Sequence, residues 1–241
     1  MLRITAREIV RHGLHVTSLD RVLMRRRAAQ GMNIGHLALK DRRQVFGYVY
    51  DQGVWLNGRS EGARSGLGSE LDATRVLRER LSTMLRPLGA TEFIDIGCGE
   101  FTWMQHVDLG DVRYIGVDIV QSVIDFDRQR FGSGNRSFHC LDAVSEPLPR
   151  ADVALCREVL FHLSFTDGRS LLANVRRAGI RHLIATTDRG TAFNADITTG
   201  DFRVINLQRR PYRFPVAEGW IPDDSVATGR GLGLWSVESL P

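Results

Sequence analysis

Three aspartates and two glycines define the chemistry this chain can attempt. The segment "FIDIGCGEFTW" places Asp95 two residues before Gly97, with Gly99 two residues after it. Glycines at that spacing let the backbone bend sharply and come close to a ligand. A helix starting after the bend would add amide donors for a carboxylate. Asp95, at the end of an apolar run, can accept bonds from an ammonium group, so acid and bend together suit an amino-acid moiety. Asp118 closes the next apolar run, 21 residues after Gly97, where an acid accepts bonds from ribose hydroxyls. Asp142 closes a third run, 24 residues further on, and can accept from the exocyclic amine of adenine. One such aspartate is as readily a solvent-facing turn residue; three at successive strand ends beside one glycine bend form a ligand-reading set.

The elements that must position these residues follow from periodicity. "EFIDIG", "RYIGVDI", "SFHCLDA", "ADVALCRE" and "RHLIATTD" are short apolar runs of the kind buried in parallel sheets. "SELDATRVLRERLSTMLRPLG" has apolar residues at helical spacing, with Ser69 as expected N-cap and Pro87 and Gly89 as its stop. "FTDGRSLLANVRRAG" is a second helix, ended by Gly179. This alternation predicts an α/β, doubly wound, Rossmann-like and mostly parallel sheet with helices on both faces. Residues 1–69 form an N-terminal helical extension and a loop, "GRSEGARSGLGS", and residues 70–241 the main domain. The extension opens with two amphipathic patterns, Ile4, Ile9 and Val10, then Leu19, Val22 and Leu23.

Composition bounds the partners. The chain has 241 residues, 43% hydrophobic and 25% charged, which reads as soluble and globular. No apolar run approaches the ~20 residues of a membrane span, and no secretory signal is visible. Cys98, Cys140 and Cys156 fit neither a disulfide framework nor a zinc site, so a reducing cytoplasm is the expected setting. Lys40 is the only lysine among 32 basic residues, a bias that GC-rich coding explains more simply than an anionic partner.

Over residues 93–187 the sequence resembles class I S-adenosylmethionine-dependent methyltransferases. That resemblance implies a seven-stranded sheet whose last strand is antiparallel, supplied by "GLGLWSVESL". "SGLGSELDATR", "DIGCGEFTWM", "YIGVDIV" and "LCREVLFHLSF" resemble more narrowly a group of bacterial methyltransferases linked to glycan and polysaccharide biosynthesis. The narrower resemblance implies O-methylation of a sugar or oligosaccharide hydroxyl. It also implies that the glycine-rich loop closes over the donor through Ser65, Gly66, Gly68 and Ser69. Cys98, Trp103, Ile119, Ala143, Cys156 and Arg157 complete the expected cofactor-binding set around Asp95, Gly97, Gly99, Asp118 and Asp142. One departure is Phe101, which stands where the family's loop commonly has a third glycine.

Transfer to an alcohol needs a base to take its proton. His162, Glu158 and Asp188 are the candidates, all near the ends of the fourth and fifth strands. Tyr50, Trp55 and Trp220 are candidate stacking surfaces for a sugar. Cys156 as a thiolate nucleophile is the less favoured reading, because it sits on an apolar run. Magnesium at Asp142, Glu158, Asp188 and Asp196 is conceivable, but no ligand spacing demands it. Alternatives include an RNA methyltransferase using Arg21, Arg25, Arg26 and Arg27, an N-methyltransferase of a small metabolite, and a binding module that keeps only the fold. A dehydrogenase is disfavoured by Thr102, where the dinucleotide fingerprint wants glycine. The extension is read as a homodimer contact or a cover over the site in preference to a membrane-docking face.

Overall fold

The computed structural model describes residues 6–17, 20–56, 58–223 and 228–241. Ile4 and Leu19 of the expected N-terminal patterns lie outside the described residues, as do the side chains of Arg21, Val22 and Leu23.

Seven strands form one sheet: β1 (Glu92–Ile96), β2 (Arg113–Asp118), β3 (Arg136–Cys140), β4 (Val153–Cys156), β5 (His182–Asp188), β6 (Gly219–Pro222) and β7 (Arg230–Ser236). Their spatial order is β3-β2-β1-β4-β5-β7-β6. The first five pair in parallel, and β7 runs antiparallel between β5 and β6. Strand order reverses between β1 and β4, so the crevice of this fold opens at their carboxyl ends.

Among the described residues the α-helices are α1 (Ala6–Val16), α2 (Asp20–Ala29), α3 (Arg42–Asp51), α4 (Arg75–Leu85), α5 (Gln121–Phe131) and α6 (Phe165–Arg177). Side chains alternate across each strand, and this divides the core in two. Phe93, Val153 and Leu155 pack with Leu77, Leu81 and Leu85 of α4 and Ile124 of α5. Ile94, Ile96, Ala154 and Cys156 pack with Leu171 and Val175 of α6. Ser164 caps α6 by accepting a bond from the Asp167 amide, and Gly179 with φ +72° lets the chain leave it.

Several expectations need correction. Ser69 does not cap α4; it ends a short 3-10 turn, Leu67–Ser69, and α4 begins only at Arg75. The bend after β1 is not followed by an α-helix, only by the three-residue 3-10 turn Met104–His106, so no helix N-terminus faces the ligand there. β6 was not anticipated, because it lies in "RRPYRFPVAEGWIPDD", where prolines interrupt any strand pattern. It is an edge strand paired with β7 alone, where Pro222 is tolerated. In α1 the apolar Ile9 and Val10 are exposed, and the helix instead buries Arg11 against Asp201.

Candidate active site

The bend after β1 holds its shape because two residues lack side chains. Gly97 has φ +73°, and a Cβ there would stand 2.4 Å from Val159 Cγ2. Gly99 has φ +57°, and its Cβ would meet the Tyr50 hydroxyl at 3.1 Å and Ser65 Cβ at 3.2 Å. The bend is therefore floored by the turn after β4 and roofed by α3 and the glycine-rich loop. The loop is fastened there: the Arg64 amide donates to Glu100 at 2.8 Å, and Arg157 donates to the Gly68 carbonyl at 2.7 Å. Phe101 takes the left-handed conformation that the absent third glycine would take, with φ +53°. That costs ~1–2 kcal/mol. Its buried ring offsets the cost against Tyr114 at 4.8 Å and Phe131 and Phe138, both at 5.2 Å.

A cavity opens above the strand ends. Its wall brings together Ser65, Ser69, Asp95, Gly97, Cys98, Gly99, Trp103, Asp118, Ile119, Asp142, Ala143, Arg157, Glu158 and His162. Gly66, Cys156 and Asp188 are not part of it. Gly66, within the loop, has φ +99°, and a Cβ there would stand 3.7 Å from Trp55 Cβ. Cys156 is buried in the core, which pushes its thiol up to about 12, so the thiolate needed for covalent catalysis is disfavoured. Asp188 turns away from the cavity and accepts a bond from the Gly190 amide at 2.7 Å.

The three aspartates stand at the ends of their strands, two of them raised by burial and one lowered. Burial pushes Asp95 up to about 7; the Tyr114 hydroxyl at 2.9 Å and the charge of Arg157 oppose it, and Asp118 adds to it. Asp118 is also raised by burial, against amide bonds to its two oxygens from Val120 at 3.0 Å and Gly99 at 3.1 Å. Each oxygen keeps a further acceptor position. Asp142 is not the free acceptor that the sequence suggested. Burial would raise it, but Arg42, Ser145 and the Val144 amide hold it below the ordinary range. Its Oδ2 accepts from Arg42 Nη2 and Ser145 Oγ, both at 2.7 Å. Its Oδ1 accepts from the Val144 amide at 3.0 Å and keeps a further acceptor position. Arg42 and Phe46 of α3 line the cavity and were missed, because nothing local in sequence links residue 42 to residue 142. Asp127 on α5 was missed as well: it is fully buried with neither oxygen partnered. Burial and then Asp118, Glu100 and Asp95 raise it to about 8.

The turn after β4 holds the candidate bases. Glu158 has φ +64°, a strained value for a side-chain-bearing residue, and its amide donates to Thr186 Oγ1 at 2.9 Å. Its carboxylate faces Arg230 at 3.2 Å. Burial raises it, against Arg157 and Arg230. His162 ends the 3-10 turn Val159–His162, with its ring 4.6 Å from that of Trp55. Its Nδ1 lies 3.1 Å from the Asp201 carbonyl oxygen, which can only accept, so Nδ1 carries the proton and Nε2 keeps its lone pair. Burial lowers the imidazole to about 4. Tyr50 and Trp55 line the cavity; Trp220 does not, and its ring lies 3.6 Å below the Arg189 guanidinium.

The four carboxylates considered for magnesium do not converge. Asp142 is tied to Arg42, Glu158 to Arg230, Asp188 to Gly190 and Asp196 to the Phe165 amide. Among the described residues no group of three histidines, cysteines or acids could hold a metal ion, and no helix is long and apolar enough to cross a membrane. Of the N-terminal arginines, Arg27 is committed to Asp201 at 2.8 Å, while Arg25 and Arg26 are exposed.

Comparison with known proteins bears on the same segment. Residues 93–179, little more than a third of the chain, match the family model described as a methyltransferase domain. No curated protein matches. The methyltransferase domain of bacterial CtHen1 (CN form) superposes with a TM-score of 0.50 at 16% identity, over 69% of this chain and 100% of that one. The N-methyltransferase NodS from Bradyrhizobium japonicum WM9, solved with S-adenosyl-L-homocysteine, gives 0.46 at 18% identity, over 58% and 74%. The [4+2]-cyclase SpnF gives 0.37 at 21% identity over 45% of this chain, which spans only 44% of the cyclase's length. Residues 93–179 are thus similar to a methyltransferase domain, and the sheet has the strand order of the class I fold, with the cavity at the carboxyl ends of its strands.

Proposed function

We propose that the protein is an S-adenosylmethionine-dependent methyltransferase that methylates a hydroxyl of a small molecule, with a saccharide as the favoured class. The observation that carries this reading is the gathering of Asp95, Asp118 and Asp142 around one glycine bend, with His162 on the same cavity in a tautomer able to take a proton. The buried residues fit the donor: an anionic Asp95 would hold its ammonium, Asp118 its ribose hydroxyls and Asp142, shared with Arg42, its adenine amine. The donor supplies a methyl group already activated on a sulfonium. The chain's own task is alignment and proton removal.

His162 Nε2 would take the acceptor's proton as its oxygen forms the new C–O bond, with the C–S electron pair leaving on a neutral thioether. Glu158, held near Arg230, would orient the acceptor hydroxyl. Tyr50 and Trp55 supply aromatic faces on which a sugar ring can lie. Ser65 and Ser69 on the fastened loop would keep water from the donor. The test has two stages. Calorimetry with S-adenosylhomocysteine should show binding that Asp118→Ala weakens at least tenfold. A screen of oligosaccharides with isotope-labelled donor, read by mass spectrometry, should show label on a hydroxyl oxygen; label on nitrogen or on RNA instead would overturn the acceptor assignment.

A further inference from the structure

The turn that carries His162 is locked to the segment after β5. Arg203 is buried, and its guanidinium donates to the Leu160 and Leu163 carbonyls, both at 2.6 Å, on either side of His162. The Gly200 amide donates to the His162 carbonyl at 2.8 Å, and the Arg203 amide to that of Phe161 at 3.0 Å. The Asp201 carbonyl receives His162 Nδ1–H. Residues 200–203 thus set both the backbone and the ring of this histidine.

That segment is in turn held from the other end of the chain. The Asp201 carboxylate pairs with Arg11 of α1 and, at 2.8 Å, with Arg27 of α2. Arg11 is buried in doing so. Beside this pair, the Asp196 amide donates to His12 Nδ1 at 3.2 Å, and His36 Nε2 lies 3.1 Å from the Gly200 carbonyl. A charge pair with two arginines on one carboxylate resists the rotation of Asp201 that would move its carbonyl away from the ring. The lone pair left on Nε2 depends on that carbonyl, since a histidine's tautomer follows the bond its other nitrogen makes.

We propose that the two N-terminal helices act as positioning elements which, through Arg11, Arg27 and Asp201, hold His162 in its Nδ1–H form. The consequence for catalysis rests on the reading of His162 as the proton acceptor; the structural linkage does not. The experiment is side-chain nitrogen NMR on the full-length protein at pH 7, with the His162 signal identified by its absence from His162→Gln. The wild type should show Nδ1–H. The double variant Arg11→Ala/Arg27→Ala should populate the Nε2–H form and lower kcat about tenfold, with affinity for S-adenosylhomocysteine within twofold. Arg11→Lys/Arg27→Lys should restore Nδ1–H. If the alanine pair does not fold, Asp201→Asn removes the charge while keeping the carbonyl and is read in the same way. An Nε2–H wild type, or an unchanged tautomer and kcat in the folded variants, overturns the proposal. Full methyl transfer by His162→Gln would remove the base assignment, while a tautomer change in the alanine pair would still support the helix-to-histidine linkage.

Discussion

Gly97→Ala tests whether the bend after β1 is as constrained as its geometry says. Two costs arise from one methyl group. The first is conformational: φ +73° disfavours any residue with a Cβ, by ~1–2 kcal/mol. The second is steric: the new Cβ would lie 2.4 Å from Val159 Cγ2, so one of the two must move. Overpacking of this kind costs ~1–3 kcal/mol. If the chain yields at the bend, the carboxyl end of β1 moves with Asp95; if it yields at Val159, the strained Glu158 and the turn bearing His162 move. Either route damages the cavity, and a sum of about 2–5 kcal/mol corresponds to a loss of ~30- to 5000-fold in affinity for S-adenosylhomocysteine if it falls on the bound state. Val159→Ala removes the colliding methyl. The double variant Gly97→Ala/Val159→Ala should therefore regain about half of the lost free energy and retain the conformational part. Calorimetry on the four proteins, with thermal melts as a control for folding, closes the cycle. Equal affinity of Gly97→Ala and wild type, or strict additivity of the two changes, would refute the argument that this turn admits only glycine because of Val159.

Four further outcomes follow from the buried groups. Burial and neighbouring acids raise Asp127 to about 8, so the folded protein keeps a proton there that the unfolded chain releases near pH ~4. Stability must then fall between those values as pH rises, by at most ~1.4 kcal/mol per unit. Asp127→Asn should gain over wild type steadily from pH 5 to pH 8 in thermal melts, and parallel slopes would count against the orphan carboxyl. Asp95, raised to about 7 in the free protein, is anionic only above that value, so kcat/KM for the donor should drop as pH falls through 7. The kcat limb should lie far lower, near pH 4, where His162 gains its proton; a kcat limb at 6.5 would mean an exposed histidine or another base. Cys156→Ser should keep most activity in a donor-turnover assay, since the thiol is a core group outside the cavity; complete loss in a folded variant would revive covalent catalysis.

What the sequence made legible was whatever repeats within a few residues. β1, β2, β4 and β5 are short apolar runs whose burial on both sides leaves a continuous signal, β3 is an edge strand that buries only Phe138, and Asp95, Asp118 and Asp142 can be found because strand ends are local features. The last strand, β7, was legible for the same reason, and its antiparallel direction came from the resemblance. β6 was not, because a four-residue edge strand ending in proline has no periodicity to offer. The absent helix after β1 was a different failure. Glycine bends of this type usually lead into helices, yet here Phe101 spends its left-handed conformation on burying a ring, and the segment closes as a 3-10 turn instead.

The pairings that give the cavity its electrostatics were illegible for a stronger reason. Arg42 reaches Asp142 across 100 residues, Arg157 reaches Asp223 across 66, and Arg11 reaches Asp201 across 190. An arginine-rich composition hides such partners, since the basic residues on exposed faces are the same residue type as those buried at charge pairs. Burial separates them: Arg11, Arg157, Arg203 and Arg230 are nearly inaccessible, and each is bonded to a carboxylate or to backbone carbonyls around the turn after β4 or the segment that clamps it. A buried guanidinium left without its partner costs several kcal/mol, so these four positions are constrained in a way that Arg25 and Arg26 are not. The composition that first read as coding bias therefore contains a minority of arginines whose loss should disorder the histidine turn, and Arg11 among them lies outside residues 93–179, the segment that matches the methyltransferase-domain model.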